Sequence, residues 1–130
     1  MKKLSFPKSK IKVLLLEKLD KSAYEIFSNE GYDVETYDGS FDEEELIRKI
    51  QGVSILGIRS KTSITKNVIE SANRLLSIGA FCIGTNQIDL IECTKHGITV
   101  FNAPYSNTRS VVEIVLGQMI NLMRSIVDKS

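Results

Sequence analysis

Val53-Ser54-Ile55-Leu56-Gly57-Ile58 is a run of six residues with no charge and one hydroxyl. A run that short and that apolar fits a strand covered on both faces, because a half-buried strand would alternate. Lys12-Val13-Leu14-Leu15-Leu16-Glu17 reads the same way. A second strand is predicted over 34–37, a fourth within 75–82 and a fifth over 98–101. Amphipathic segments separate them. Asp20 can cap a helix whose Ala23, Tyr24, Ile26 and Phe27 share one face, with Gly31 as its stop. Asp42 starts a helix with an acidic first turn, Glu43 to Glu45, and an inward face of Leu46, Ile47 and Ile50. Thr65 can cap a helix carrying Val68, Ile69 and Ala72, and a further helix is predicted over 86–96 with Ile88, Leu90 and Ile91 available for packing.

Strand and helix alternating five times is the pattern of an α/β fold. The expected object is a flavodoxin-like, doubly wound, parallel five-stranded sheet of order 2-1-3-4-5 with right-handed crossovers. A long C-terminal helix is predicted over 107–127. Apart from Ile114, its apolar residues from Val111 to Val127 span about half the circumference, more than the ~100° stripe of a surface helix. The expectation is that one small domain cannot cover that face, so that it meets a second domain or subunit.

The bulk properties narrow the function classes. The chain has 130 residues, 42% hydrophobic and 25% charged, with 17 Lys+Arg against 16 Asp+Glu. That is an ordinary globular composition, and a net charge of +1 gives no nucleic-acid footprint. No apolar run reaches the ~18 residues of a membrane span, and the basic start has no apolar core of a secretory signal. Cys82 and Cys93 have no pairing pattern and are expected to be reduced, largely buried thiols of a cytoplasmic protein. His96, before Gly97, reads as a helix cap, not as a metal ligand. The consecutive acids of residues 42–45 radiate around a helix instead of converging on a metal.

Open α/β sheets bind ligands beyond the carboxyl ends of their strands, at the point where strand order reverses. Glu17 and Lys18 follow the first strand, and Arg59, Ser60 and Lys61 follow the third. The latter place two cations and a hydroxyl at the expected crevice. Arginine suits bidentate capture of carboxylate or phosphate, and lysine adds a point charge. Gly84, after the fourth strand, would let main-chain amides approach an anion. Two readings stay open on this chemistry: a pocket for a small double anion, or ordinary solvated loop cations. A phospho-receiver fares poorly, since it needs clustered acids where this chain has Glu17 and Arg59. Gly79 to Thr85 has the glycine spacing of a phosphate loop but lacks its lysine, and no GxGxxG occurs anywhere. Ser60, Ser106 and Ser110 have no histidine beside them in sequence, so a catalytic triad has no support.

Three stretches carry a resemblance: Ile58-Arg59-Ser60-Lys61-Thr62, Ser77 through the GAFCIGTNQIDL run to Leu90, and Lys95 through the FNAPYSNTRSV run to Glu113. They resemble the N-terminal part of the NAD-dependent D-isomer-specific 2-hydroxyacid dehydrogenases, specifically the bacterial phosphoglycerate dehydrogenase branch. The resemblance spans about 10–126. It implies oxidation of 3-phosphoglycerate to 3-phosphohydroxypyruvate, an early step of L-serine biosynthesis. It further implies a substrate domain over 11–105, a flexible lead-in over 1–10, and a linker helix over 106–130. That helix would run toward an NAD-binding Rossmann domain absent from these residues. The family's histidine acid/base, its orienting glutamate and its substrate arginine belong in or after that domain, so no catalytic residue is expected in this chain. The chain is therefore expected to be a fragment, inactive alone, of an enzyme that oligomerises through this helix.

The substrate-side residues implied by the resemblance are Arg59, Ser60, Lys61, the amides of Ile83 and Gly84, and Asn107. Asn107 and Ser110 would border the cofactor. Lys61 stands where close relatives have arginine, which reduces a bidentate contact to one charge. Asn86 agrees with the phosphoglycerate-type pattern, where other members carry aspartate. The alternative reading is a non-catalytic anion-binding or subunit-interaction module.

Overall fold

The structure is a computed structural model that describes residues 8–82, 84–102 and 108–128; side chains are described to residue 126, except those of 108–112. Five strands, β1 (Lys12–Leu15), β2 (Asp33–Thr36), β3 (Val53–Ile58), β4 (Ser77–Ala80) and β5 (Thr99–Asn102), form one sheet of order β2-β1-β3-β4-β5. Every pairing is parallel. The order reverses between β1 and β3, as the alternation of segments predicts. β3 is buried along its whole length, which is why it carries no charge.

The helices are α1 (Lys21–Asn29), α2 (Glu43–Lys49), α3 (Lys66–Ser71), α4 (Leu90–Lys95) and α5 (Thr108–Asp128). Their starts follow local chemistry. The Asp42 carboxylate accepts from the Glu45 amide and the Thr65 hydroxyl from the Val68 amide, each meeting an otherwise orphan donor. α1 ends before Gly31, whose φ of 97° costs glycine nothing. His96 caps α4, its Nδ1 3.0 Å from the Glu92 carbonyl, with Gly97 left-handed after it.

One face of the sheet packs Leu14, Leu56, Ile58 and Ile78 against Leu46 and Ile50 of α2, Val68 and Ile69 of α3, and Cys93 of α4. The opposite face packs Val13, Leu15 and Ile55 against Ala23 and Phe27 of α1 and against α5. The terminal helix is thus covered in part by the chain itself. Val115, Leu116, Met119, Ile120 and Met123 of α5 are buried on the chain's own sheet. Gly79 makes room: an added Cβ would come within 3.0 Å of Val115 Cγ1 and Met119 Cε. The Arg124 guanidinium donates to Glu30 Oε2 at 2.7 Å, and Lys8 reaches Oε1 at 3.3 Å. These bonds, Arg124 first, hold the Glu30 carboxyl below its usual range and tie α5 to the end of α1. Among the described residues, Ile114 and Ile126 are the large apolar side chains of α5 left exposed. Sequence periodicity gives the width of an apolar stripe but not what lies beneath it.

Three smaller differences follow from tertiary contacts. α4 starts at Leu90 because Gln87 and Ile88 pair with Ile64: Ile64 N donates to the Gln87 carbonyl and Asp89 N to the Ile64 carbonyl. Leu90 and Ile91 point outward, and Ile91 is 73% exposed. Tyr24 is also exposed, beside the β1–β2 end of the sheet. Lys8–Lys10, the described part of the lead-in, forms a 3-10 turn, with the Lys8 ammonium also lying over the Tyr32 ring. Among the described residues, no helix is long and apolar enough to cross a membrane.

Burying a methionine or branched aliphatic side chain stabilises by about 1.5–3 kcal/mol, and truncating one adds a cavity term. Met119→Ala should cost about 2–5 kcal/mol in urea unfolding of the whole chain. A cost below 1 kcal/mol would show that α5 does not sit on Gly79 in solution.

Candidate functional site

Glu17 and Lys18 leave β1 with φ of 64° and 51°, the left-handed region that side chains other than glycine rarely adopt. Such residues cost of order 1–3 kcal/mol each and persist where the surroundings hold them. Their amides donate to the carbonyls of Gly39 and Tyr37. The bend turns the Glu17 side chain across the switch point. It is 7% exposed, under the loop that follows β3.

Four donors from that loop converge on it. The amides of Arg59 and Thr62 and the Thr62 hydroxyl donate to Oε2 at 2.9, 3.0 and 2.6 Å. The Lys61 amide donates to Oε1 at 3.0 Å. Burial is the largest single influence on the carboxyl and pushes its pKa up. The bonds from the Thr62 hydroxyl and the amides of Lys61, Arg59 and Thr62 together outweigh it, so the carboxyl sits below its ordinary 4.5.

The other side of the loop is tied to β4. Gln87 Nε2 donates to the Arg59 carbonyl at 2.9 Å and lies 3.4 Å from Cys82 Sγ, which itself donates to the Gly84 carbonyl at 3.2 Å. Residues 59–62 are therefore held by a carboxylate from the β1 side and an amide from the β4 side.

Arg59, Ser60 and Lys61, which the sequence places at the crevice, are exposed at the carboxyl end of β3. Neither the Arg59 guanidinium nor the Lys61 ammonium has an ion-pair partner among the described residues. Gly84 is exposed after β4, linked to Arg59 through Cys82 and Gln87. An added Cβ at Gly84 would meet nothing within 4 Å, and its backbone is not left-handed. Ile83 and Asn107 lie outside the described residues. Ser110 stands in the first turn of α5, with its side chain outside the description. The sequence reading missed Glu17, Thr62 and Gln87 as site builders. The available signal was an acid directly ending a buried strand beside the expected switch point.

An open cleft of about 420 Å³ lies on the far side of β1, where two lysines, Lys18 and Lys21, are offset by two aspartates, Asp20 and Asp38. It does not include Arg59, Ser60 or Lys61. The cleft's lysines are balanced by its aspartates, whereas Arg59 and Lys61 stand at the strand-order reversal without an acid paired to them among the described residues, which favours the Arg59 side for an anion.

A dinucleotide needs a glycine turn and a helix N-terminus open to its pyrophosphate. The β1–α1 turn is Leu16-Glu17-Lys18-Leu19-Asp20, without glycine, and Asp20 Oδ1 already accepts from the Ser22 amide at 2.9 Å. That turn does not fit the pyrophosphate of NAD.

The profile of the family "D-isomer specific 2-hydroxyacid dehydrogenase, catalytic domain" matches residues 13–117. The chain belongs to this family. It is 51% identical over 125 residues to D-3-phosphoglycerate dehydrogenase 1 of Saccharomyces cerevisiae, covering 96% of this chain and 27% of that protein. It is 48% identical over 126 residues to D-3-phosphoglycerate dehydrogenase of Dictyostelium discoideum, covering 97% of this chain and 31% of that one. The chain thus spans about a third or less of the length of these relatives. Among solved structures, a Pyrococcus horikoshii protein superposes with a TM-score of 0.66 at 36% identity, over 89% of this chain and 34% of that chain. An NAD+-bound 3-phosphoglycerate dehydrogenase from Entamoeba histolytica shares the fold, with a TM-score of 0.62 at 20% identity, over 70% of this chain and 32% of that one.

The thiols and the Glu17 carboxyl make this geometry testable. Cys93 is buried, and burial first, then the charges of Asp89 and Glu92, push its thiol up to about 11. Cys82 is half-buried. Iodoacetamide at pH 8 should label Cys82 well before Cys93, read by mass spectrometry; equal labelling would contradict this packing. Since the folded-state value of Glu17 is depressed, its contribution is fully present above 4.5 and is lost as pH falls through the lower folded value. Relative to intrinsic exchange at each pH, protection of the amides of Arg59, Lys61 and Thr62 should fall on acidification before that of β3 does.

Proposed function

We propose that this chain is the substrate-holding part of an NAD-dependent phosphoglycerate dehydrogenase, acting on 3-phosphoglycerate in L-serine synthesis. One observation carries the reading. Two exposed cations without ion-pair partners among the described residues stand on a loop fixed at the switch point. Arg59 takes a carboxylate or phosphate oxygen pair, Lys61 adds a point charge and Ser60 a hydroxyl. Gly84 supports the same reading. Neither crowding within the chain nor a left-handed backbone asks for glycine there. A ligand anion approaching the amides of Ile83 and Gly84 would ask for it. Asn107 borders the substrate and, with Ser110, the cofactor.

The division of labour follows from the poor fit to NAD. Residues outside this chain hold the nicotinamide and carry out hydride and proton transfer. The 130 residues alone bind and orient the acid without turning it over. The protein works in the cytoplasm with reduced thiols. The complete enzyme pairs with a second copy through the α5 side, where Ile114 and Ile126 remain exposed.

A second reading, a self-standing anion-binding or interaction module, is favoured by one observation. α5 closes the chain's own core, so these residues bury both faces of the sheet without another domain.

A charge-assisted pair contributes about 1.5–3 kcal/mol. Arg59→Ala should therefore weaken 3-phosphoglycerate binding, measured by calorimetry at low salt, about 10- to 150-fold. An unchanged affinity would remove Arg59 as an anchor. NADH production by the isolated chain would refute the division of labour.

A further inference from the structure

We propose that Glu17 is the positioning residue of the anion anchor, an internal carboxylate that occupies three amides of the β3 loop so that the loop's exposed side chains and its one remaining amide face the ligand. The inference rests on the reading of Arg59 and Lys61 as that anchor. Successive main-chain N–H groups converging on one point make an anion-binding concavity. In this loop the concavity faces inward, and its occupant belongs to the chain: the amides of residues 59, 61 and 62 all donate to Glu17. A bound acid therefore cannot use those three amides. What remains for it is the Ser60 amide and the exposed side chains of Arg59, Ser60 and Lys61.

The backbone at Glu17 supports a positioning role over a general stabilising one. A glycine would adopt φ of 64° without strain, yet a glutamate stands there, followed by a second left-handed residue. Strain retained at a side chain that makes four convergent bonds points to a use for that side chain. The sheet does not depend on those bonds. β1 and β3 are joined through the register from Lys12 to Leu15, and Leu16 N donates to the Gly57 carbonyl before the Glu17 side chain is reached. Losing the carboxylate releases the loop at its β1 side and leaves the Gln87 tie and, two residues beyond Thr62, the pairing of Ile64 with Ile88.

Glutamine tests this directly. Glu17→Gln keeps the size but presents an NH2 group to a ring of donors. The experiment uses the whole 130-residue chain, by NMR without ligand and by titration with 3-phosphoglycerate and with inorganic phosphate. In the unmodified chain, the amide protons of Arg59, Lys61 and Thr62 should be shifted downfield and protected from exchange. In Glu17→Gln those shifts should be lost and exchange at the three amides should rise at least tenfold. Amides of β3 should stay protected, and affinity for 3-phosphoglycerate should fall at least tenfold. Thr62→Val, which removes a single bond to Oε2, covers the case in which Glu17→Gln does not fold, and should lower affinity a few-fold with the same local exchange signature. Affinity within twofold of the unmodified chain in the folded Glu17 variant, or in Thr62→Val if only that variant folds, would overturn the positioning role and leave the anchor intact. Failure of the unmodified chain to bind either probe would overturn the anchor itself, and this inference with it.

Discussion

A single carboxylate joins the two halves of the sheet's working end. Glu17 leaves β1 through a strained bend and accepts four hydrogen bonds from the loop after β3. A buried carboxylate is costly unless its lone pairs are met, and at Glu17 burial is outweighed by those donors. The loop's main chain is thereby turned inward, while Arg59 and Lys61 face solvent. The course of an exposed cationic loop is thus held by a group buried beneath it.

The second constraint is the covering of the sheet. A doubly wound sheet needs helices on both faces, and α2, α3 and α4 cover one of them. α1 is only nine residues long and shares the other with α5. Gly79 removes the side chain that would keep α5 off β4, and Arg124 fastens it to Glu30. An amphipathic helix is neutral as to its cover, provided that apolar area leaves water. For Val115, Leu116, Met119, Ile120 and Met123 that cover is the chain's own sheet.

Membership of the 2-hydroxyacid dehydrogenases fits this division. The relatives are three or more times longer, and the matched portion holds a cationic loop without a dinucleotide turn. The absence of glycine between β1 and α1 and the presence of Glu17 are two sides of one fact. A Rossmann domain uses the turn after its first strand to receive pyrophosphate. In this chain the same turn carries an internal carboxylate that binds the loop after β3.

Much of this was legible in the residues. Val53–Ile58 is a strand because six uncharged residues must be buried on both faces, and Asp42, Thr65 and His96 cap helices because local hydrogen bonds decide such ends. Strand order and the position of Arg59 at the reversal followed from those elements. Tertiary structure decided what depends on distant partners. α4 begins late because Ile64, 24 residues before Ile88, pairs with it. α5 lies on β4 because Gly79 leaves a groove. Glu17 reads in sequence as the charged end of a strand; only the fold brings residues 59–62 above it, since pairing across 42 to 45 positions has no local signature.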